Sequence, residues 1–169
     1  LGRYYLYVGD PKMAIPQFYN AIKANPVYVP PYNNIGVSYY QLNELDSALK
    51  YYNQTIEYQP KYILAYNNRA QLFYDHEQYE KAIFDYTKSI DLNKGNPEVY
   101  AQRGLSYYLI GSFDKALADF TLAARLKPYN SYYNDLIGQC YVAKDELKKA
   151  IKVYSKSIRL NNKKENAFF

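Results

Sequence analysis

Residues 36–60 read GVSYYQLNELDSALKYYNQTIEYQP, and residues 104–128 read GLSYYLIGSFDKALADFTLAARLKP. The two stretches align without a gap, and a further copy stands midway between them. Working outward, Ala14, Ala48, Ala82, Ala116 and Ala150 are evenly spaced. The same step joins Gly2, Gly36, Ala70, Gly104 and Gly138, and it joins Tyr5, Tyr39, Phe73, Tyr107 and Tyr141. It joins Phe18, Tyr52, Tyr86, Phe120 and Tyr154, then Ala21, Thr55, Ser89, Ala123 and Ser157. Pro26, Pro60 and Pro128 form a further column, with Lys94 and Asn162 where proline is absent. Several columns agreeing at one period of ~34 residues mark a repeat architecture.

The columns have local physical reasons. Gly36, Tyr39, Tyr40 and Ala48, Leu49, Tyr52, Ile56 follow the i, i+3, i+4 spacing of helices. Two helices approach closely where side chains are small, so Gly36 and Gly104 are expected to face Ala48 and Ala116, with aromatic rings filling the space around each crossing. Gly9, Asn43, Gly111 and Asp145 stand between helices and tolerate the left-handed backbone that ends one, whereas Glu77 departs from that pattern. Asp46 and Asp114 suit the start of each second helix. Pro30, Pro31 and Pro97 suit the start of first helices. Pro16 falls about a turn inside a helix, where a kink is expected.

This pattern of small, aromatic, small, aromatic, small and proline positions resembles the tetratricopeptide repeat family over essentially the whole chain. The family's tryptophan column holds Tyr32, Tyr66, Tyr100, Asn134 and Phe168 here, and Asn134 predicts weaker packing. The resemblance implies an all-α fold: a right-handed solenoid of about five antiparallel helix pairs, with a concave and a convex surface. The expected organisation is a single array with repeats at 1–28 (truncated), 29–62, 63–96, 97–130 and 131–164, and the start of a further repeat at 165–169. Helices of ~13 residues are marginal alone in water, so each pair must bury its apolar face against its neighbours. No polar capping helix is visible, and the natural array is expected to extend beyond this chain.

The composition excludes several classes. Nothing approaches ~18 consecutive apolar residues, so no membrane span is expected. Leu1–Asp10 is tyrosine-rich and polar, unlike a secretory signal. The single cysteine, Cys140, forms no internal disulfide and fits a reducing, cytoplasmic setting. It shares a small core column with Ser38 and Ser106, which suits a packed thiol rather than a nucleophile. The one histidine, His76, lies between Asp75 and Glu77 at a helix end, where three consecutive residues do not converge on an ion. No nucleotide loop, zinc motif or triad is present. The expectation is no catalytic activity, no cofactor, no metal and no small-molecule substrate. Tyrosine occurs 24 times. Codon bias in an AT-rich genome and selection for a tyrosine-lined surface both account for that.

Net charge is +5, but it is uneven: the repeats carry +2, −1, −1, +1 and +5 in order, and Glu165 follows. The excess lies in Lys144, Lys148, Lys149, Lys152, Lys156, Arg159, Lys163 and Lys164. Lys148, Lys149, Lys152 and Lys156 share one face of the last second helix, on the convex side that the resemblance implies. A solvated face is the plain account. An acidic partner or a membrane surface is the functional one. Nucleic acid is disfavoured, because no aromatic residues alternate with these lysines.

By family register, first helices line the concave groove. The lining then includes Asn33, Asn34, Val37, Tyr40, Asn67, Asn68, Gln71 and Tyr74, followed by Gln102, Leu105, Tyr108 and Gln139. Amide side chains offer a donor and an acceptor, as a peptide backbone does. Asn34 and Asn68 resemble the asparagine ladder with which some arrays of the family grip a peptide main chain. Co-chaperones of the family instead clamp an acidic carboxyl terminus with a basic pair from a third repeat. Here that pair would be Leu64 and Asn68, or Glu98 and Gln102, or Tyr132 and Leu136, none of them basic.

The leading expectation is a non-catalytic scaffold or adaptor that binds an extended or helical segment of a protein partner, within a multi-subunit complex or outside one. Two alternatives remain: the substrate-targeting arm of a larger enzyme, and an assembly or membrane-associated protein using the basic convex face.

Overall fold

The computed structural model describes the backbone through Glu165 and side chains through Leu160. The described residues form ten α-helices and no strand. They are α1 (Gly2–Tyr7), α2 (Pro11–Ala24), α3 (Pro30–Gln41), α4 (Leu45–Tyr58), α5 (Ile63–Asp75), α6 (Tyr79–Leu92), α7 (Pro97–Leu109), α8 (Phe113–Leu126), α9 (Ser131–Ala143) and α10 (Leu147–Glu165). The chain divides into two compact units, Leu1–Gln78 and Tyr79–Phe169.

In the first unit α1 packs on α2, α2 on α3, α3 on α4 and α4 on α5. Its core gathers Ala14, Phe18 and Ile35, with Leu6, Ile22 and Tyr39 against them. A second cluster holds Ala48, Tyr52 and Leu72, with Val37, Tyr40 and Phe73. In the second unit α6 packs on α7, α7 on α8, α8 on α9 and α9 on α10. Tyr86, Phe120, Ala116, Ala123 and Cys140 are buried there. Burying one large side chain of this kind stabilises by ~1.5–3 kcal/mol.

Helix ends follow the expected chemistry. Pro30, Pro31 and Pro97 occupy first turns. Asp10 accepts from the Met13 N–H at 3.1 Å, Asn96 from Glu98 at 3.0 Å and Asn130 from Tyr132 at 3.1 Å, which caps α2, α7 and α9. All five within-pair turns are left-handed: φ is 77° at Gly9, 60° at Asn43, 58° at Glu77, 74° at Gly111 and 58° at Asp145. Glu77 therefore takes the conformation of its column despite its side chain. Pro16 sits inside α2, which nevertheless runs unbroken from Pro11 to Ala24.

One packing expectation is corrected. A Cβ on Gly36 would lie 2.6 Å from the Tyr52 ring, one on Gly104 2.6 Å from Phe120 and one on Gly138 2.5 Å from Tyr154. The close approach is thus glycine against an aromatic ring, with Ala48 and Ala116 buried but not its nearest partners. Asn134 is buried at 3% exposure despite lacking a ring, and Tyr133 beside it is buried at 2%. The tyrosines of that column do more than fill space. The Tyr32 hydroxyl donates to the Pro26 carbonyl at 3.2 Å and Tyr66 to Pro60 at 3.1 Å, tying down the loop before each first helix.

The last second helix differs from the others. One repeat step on from Leu126, the end of α8, falls at Leu160, yet α10 continues to Glu165. Neither proline nor glycine follows at 161–164 to stop it. Phe168, the side chains of Lys163 and Lys164, and all but the first residue of the further repeat expected at 165–169 lie outside the described residues.

Candidate functional site

The first-helix face of the first unit is built on α3 and α5. Asn33 and Asn34 are neighbours in sequence but not in environment. Asn33 is buried at 3% exposure, and Asn34 is half-buried. The expectation that Asn33 lines an open groove is therefore corrected. The Asn68 amide donates to the Asn33 carbonyl oxygen at 3.0 Å, joining α5 to α3. That amide is engaged within the protein, so Asn68 of the expected Asn34–Asn68 ladder is tied to α3 through Asn33. Asn67 is half-buried, and its Oδ1 atom is buried with no hydrogen-bond partner. A buried acceptor left unpaired costs ~1–3 kcal/mol relative to a paired one.

The tyrosine expectation is also refined. The Tyr40 hydroxyl donates to the Asp75 carboxylate, and the Gln71 amide donates to the same carboxylate at 2.8 Å. Asp75 thus fixes two groove side chains that stand a helix apart. Burial and the Asp75 hydrogen bond push the Tyr40 pKa up to about 12. Val37 and Tyr74 are half-buried. A cleft of ≈ 580 Å³ opens nearby, lined among others by Arg3, Gln17, Tyr28, Asn34, Tyr62 and Leu64. Arg3 is the one charged side chain of its lining.

In the second unit Gln102, Leu105 and Tyr108 are half-buried and Gln139 is exposed. Tyr108 meets Phe113 edge-on, with ring centroids 5.3 Å apart.

The basic face is only partly free. Lys148, Lys152 and Lys156 are exposed at i, i+4, i+8 on α10. Lys149 is exposed too, but its ammonium pairs with Glu146 and lies 5.5 Å from the centre of the Tyr141 ring. Lys144 pairs with Asp114 and with Glu146 at 3.4 Å.

One largely buried polar arrangement was not read from the sequence. Arg103 on α7 donates to Asp119 on α8 through Nε and Nη2, each at 2.8 Å, and through Nη1 to Thr87 on α6 at 3.1 Å. Burial lowers the guanidinium pKa, and the Asp119 carboxylate more than offsets this, leaving it above its ordinary value. Recurrence at the repeat step was the available signal: Arg69 stands one repeat before Arg103, and Asp85 one repeat before Asp119.

Burial pushes the Cys140 thiol up to about 11, which keeps it protonated at neutral pH. Among the described residues no group of three His, Cys, Asp or Glu side chains could hold a metal ion, and no helix is long and apolar enough to cross a membrane.

The same arrangement of helices occurs in known proteins. A crystal structure of MamA superposes with a TM-score of 0.89 at 23% identity, over 98% of this chain and 97% of that one. MamA from Desulfovibrio magneticus RS-1 superposes with a TM-score of 0.87 at 18% identity, over 96% of this chain and 92% of that one. TTC0263, a thermophilic TPR protein of Thermus thermophilus, gives 0.69 at 20% identity, over 98% of this chain and 90% of that one. At these identities the likeness is one of fold. No curated protein matches the chain by sequence. Tetratricopeptide repeat profiles match residues 29–62, 63–96, 97–130 and 131–164. With four successive repeats matched over most of its length, the chain belongs to the tetratricopeptide repeat family.

Proposed function

We propose that the protein is a non-catalytic interaction scaffold whose first-helix face binds an extended or short helical segment of a partner protein. The observation that carries this reading is the half-buried amide side chain of Asn67 on that face. A peptide main chain, with one donor and one acceptor per residue, is the complement of such an amide. Asn34, half-buried one helix away and lining the cleft, supplies a second amide. The surrounding groups are already held in place, Asn68 by Asn33 and Tyr40 and Gln71 by Asp75. Groups fixed before binding lose little freedom when a ligand arrives, which favours affinity.

The test is affinity capture with mass spectrometry, run in parallel on the wild-type chain, an Asn34→Ala, Asn67→Ala variant and a Lys148→Ala, Lys152→Ala, Lys156→Ala variant. A partner bound by the first-helix face is lost with the asparagine variant and kept with the lysine variant. The opposite pattern would move the site to α10 and contradict the reading.

A further inference from the structure

Asp75 is the last residue of α5, and its two carboxylate oxygens are tied to different side chains. Oδ2 accepts from the Tyr40 hydroxyl of α3, and Oδ1 accepts from the Gln71 amide at 2.8 Å. The carboxylate is thus held where α3 meets α5, while Asp75 itself stays exposed. Neither donor is charged, and no lysine or arginine pairs with Asp75 among the described residues. Its column is otherwise uncharged, holding Tyr7, Gln41, Leu109 and Ala143.

The backbone beneath this carboxylate favours a cation. A helix C-terminus carries partial negative charge, so an acidic residue there has the unfavourable sign and a positive group beside it is stabilised. Neither α3 nor α5 has a basic residue in its last turn, and Glu77, two residues on, is a second exposed carboxylate. The hydrogen bonds indicate which cation fits. An ionised carboxylate offers about four lone-pair sites, two on each oxygen. Tyr40 and Gln71 occupy one site on each oxygen, so each keeps another. Two adjacent acceptors match the guanidinium fork, which forms two N–H···O bonds at once, whereas a lysine ammonium is a point charge. A calcium ion would need about six or more oxygen ligands. Among the described residues no three His, Cys, Asp or Glu side chains are grouped to hold a metal.

We infer that Asp75 is a specificity-determining residue of the first-helix face and takes an arginine of the bound partner segment, its carboxylate held ready by Tyr40 and Gln71. The inference rests on the proposed binding of a segment by this face, and it names the chemistry of one residue in that segment. Asp75 and the amides of Asn34 and Asn67 are different side chains, so each contribution can be removed without the other. One exposed ion pair changes affinity only a few-fold, so binding keeps the weak salt dependence of a contact made mainly by amides.

The test passes a positional library of amidated heptapeptides over the immobilised whole chain and reads the retained peptides by mass spectrometry. Each position in turn is arginine, lysine or citrulline, the last an uncharged residue of the same shape as arginine. The wild-type chain should enrich arginine over citrulline by about threefold or more at one position, with lysine between them. Asp75→Asn, which keeps the size of the side chain, should erase that preference while peptides are still retained, and circular dichroism checks that the variant is folded. The Asn34→Ala, Asn67→Ala variant should retain less peptide but keep the preference for arginine in what it retains. Equal enrichment of arginine and citrulline by the wild-type chain overturns the inference without recourse to any variant. An arginine preference that survives in folded Asp75→Asn, or no retained peptide at all, overturns it too. Retention that falls with the asparagine variant but shows no arginine preference would sink the inference and leave the amide reading standing. A preference lost with Asp75→Asn, alongside retention indifferent to the asparagine variant, would uphold Asp75 and sink the amide reading.

Discussion

Arg103 and Asp119 stand 16 residues apart and meet in a two-point contact, Nε and Nη2 of the arginine each 2.8 Å from a carboxylate oxygen. Their side chains are only 16% and 5% exposed. The third arm of the guanidinium reaches Thr87, so one side chain bonds three successive helices of the second unit. Planar guanidinium geometry suits this fork, and lysine would not reproduce it.

Breaking that pair should be costly in one direction only. Arg103→Ala leaves a buried carboxylate uncompensated and should destabilise by ~3 kcal/mol or more. Replacing both partners, as Arg103→Met with Asp119→Leu, should cost much less, because no charge is left buried. Urea midpoints of the single and double variants measure this. A single variant within about 1 kcal/mol of wild type would show that the pair carries little.

A methyl group at Gly104 has nowhere to go. Its Cβ would sit 2.6 Å from the Phe120 ring. Gly104→Ala should therefore destabilise by ~1–3 kcal/mol through overpacking, despite the better helix propensity of alanine. Adding Phe120→Leu should recover part of that loss. Thermal melts of both variants decide the point, and an unchanged Gly104→Ala melt would place the crossing elsewhere.

Glu77→Gly should stabilise. Glu77 holds φ 58° while its N–H donates to the Tyr74 carbonyl at 3.0 Å. A left-handed residue with a Cβ costs ~1–2 kcal/mol, and the greater freedom of glycine in the unfolded chain returns ~0.5–1 kcal/mol of that. The net expectation is a gain of ~0.5–1 kcal/mol in chemical denaturation. A loss would mean that the Glu77 side chain contributes more than its backbone costs.

Alkaline pH should weaken the fold. The pKa of Tyr39 is pushed up to about 12 by its hydrogen bond with Tyr19 and by burial, and that of Tyr40 to about 12 by burial and Asp75. Burial raises Tyr52 as well. The unfolded chain loses these protons near pH 10, whereas the folded chain keeps them. Their contribution is complete below about pH 10 and is lost as pH rises toward 12, by up to ~1.4 kcal/mol per group per pH unit. The urea midpoint should fall between pH 9 and pH 11, and a constant midpoint would contradict the shifts.

The helices, their turns and the glycine column were legible because each is set locally and then repeated. Gly9, Asn43, Gly111 and Asp145 announce the left-handed turn by residue type, and only the period places Glu77 among them. The glycine partner was misjudged because Ala48 and Tyr52 lie on one face of α4, and three-dimensional packing selects the ring. Asn33 and Asn34 differ by only about 100° around the helix, so their sequence does not say which turns inward. The amide of Asn68 on the neighbouring helix decides it. The Arg103 pair lay outside the family columns, and only its recurrence as Arg69 and Asp85 marked it.

The central claim, that the first-helix face grips a partner segment through its amides, is tested most directly by titrating the captured partner against Asn34→Ala, Asn67→Ala at low and high salt. The account predicts binding weaker by ~1–3 kcal/mol, roughly 5- to 150-fold in Kd. Wild-type binding should depend only weakly on salt, because the contact is made by neutral amides rather than by charges. The melting temperature of the variant should not fall, since Asn67 Oδ1 gives up no hydrogen bond in the free chain. A Kd within twofold of wild type, with the variant folded, would contradict the claim.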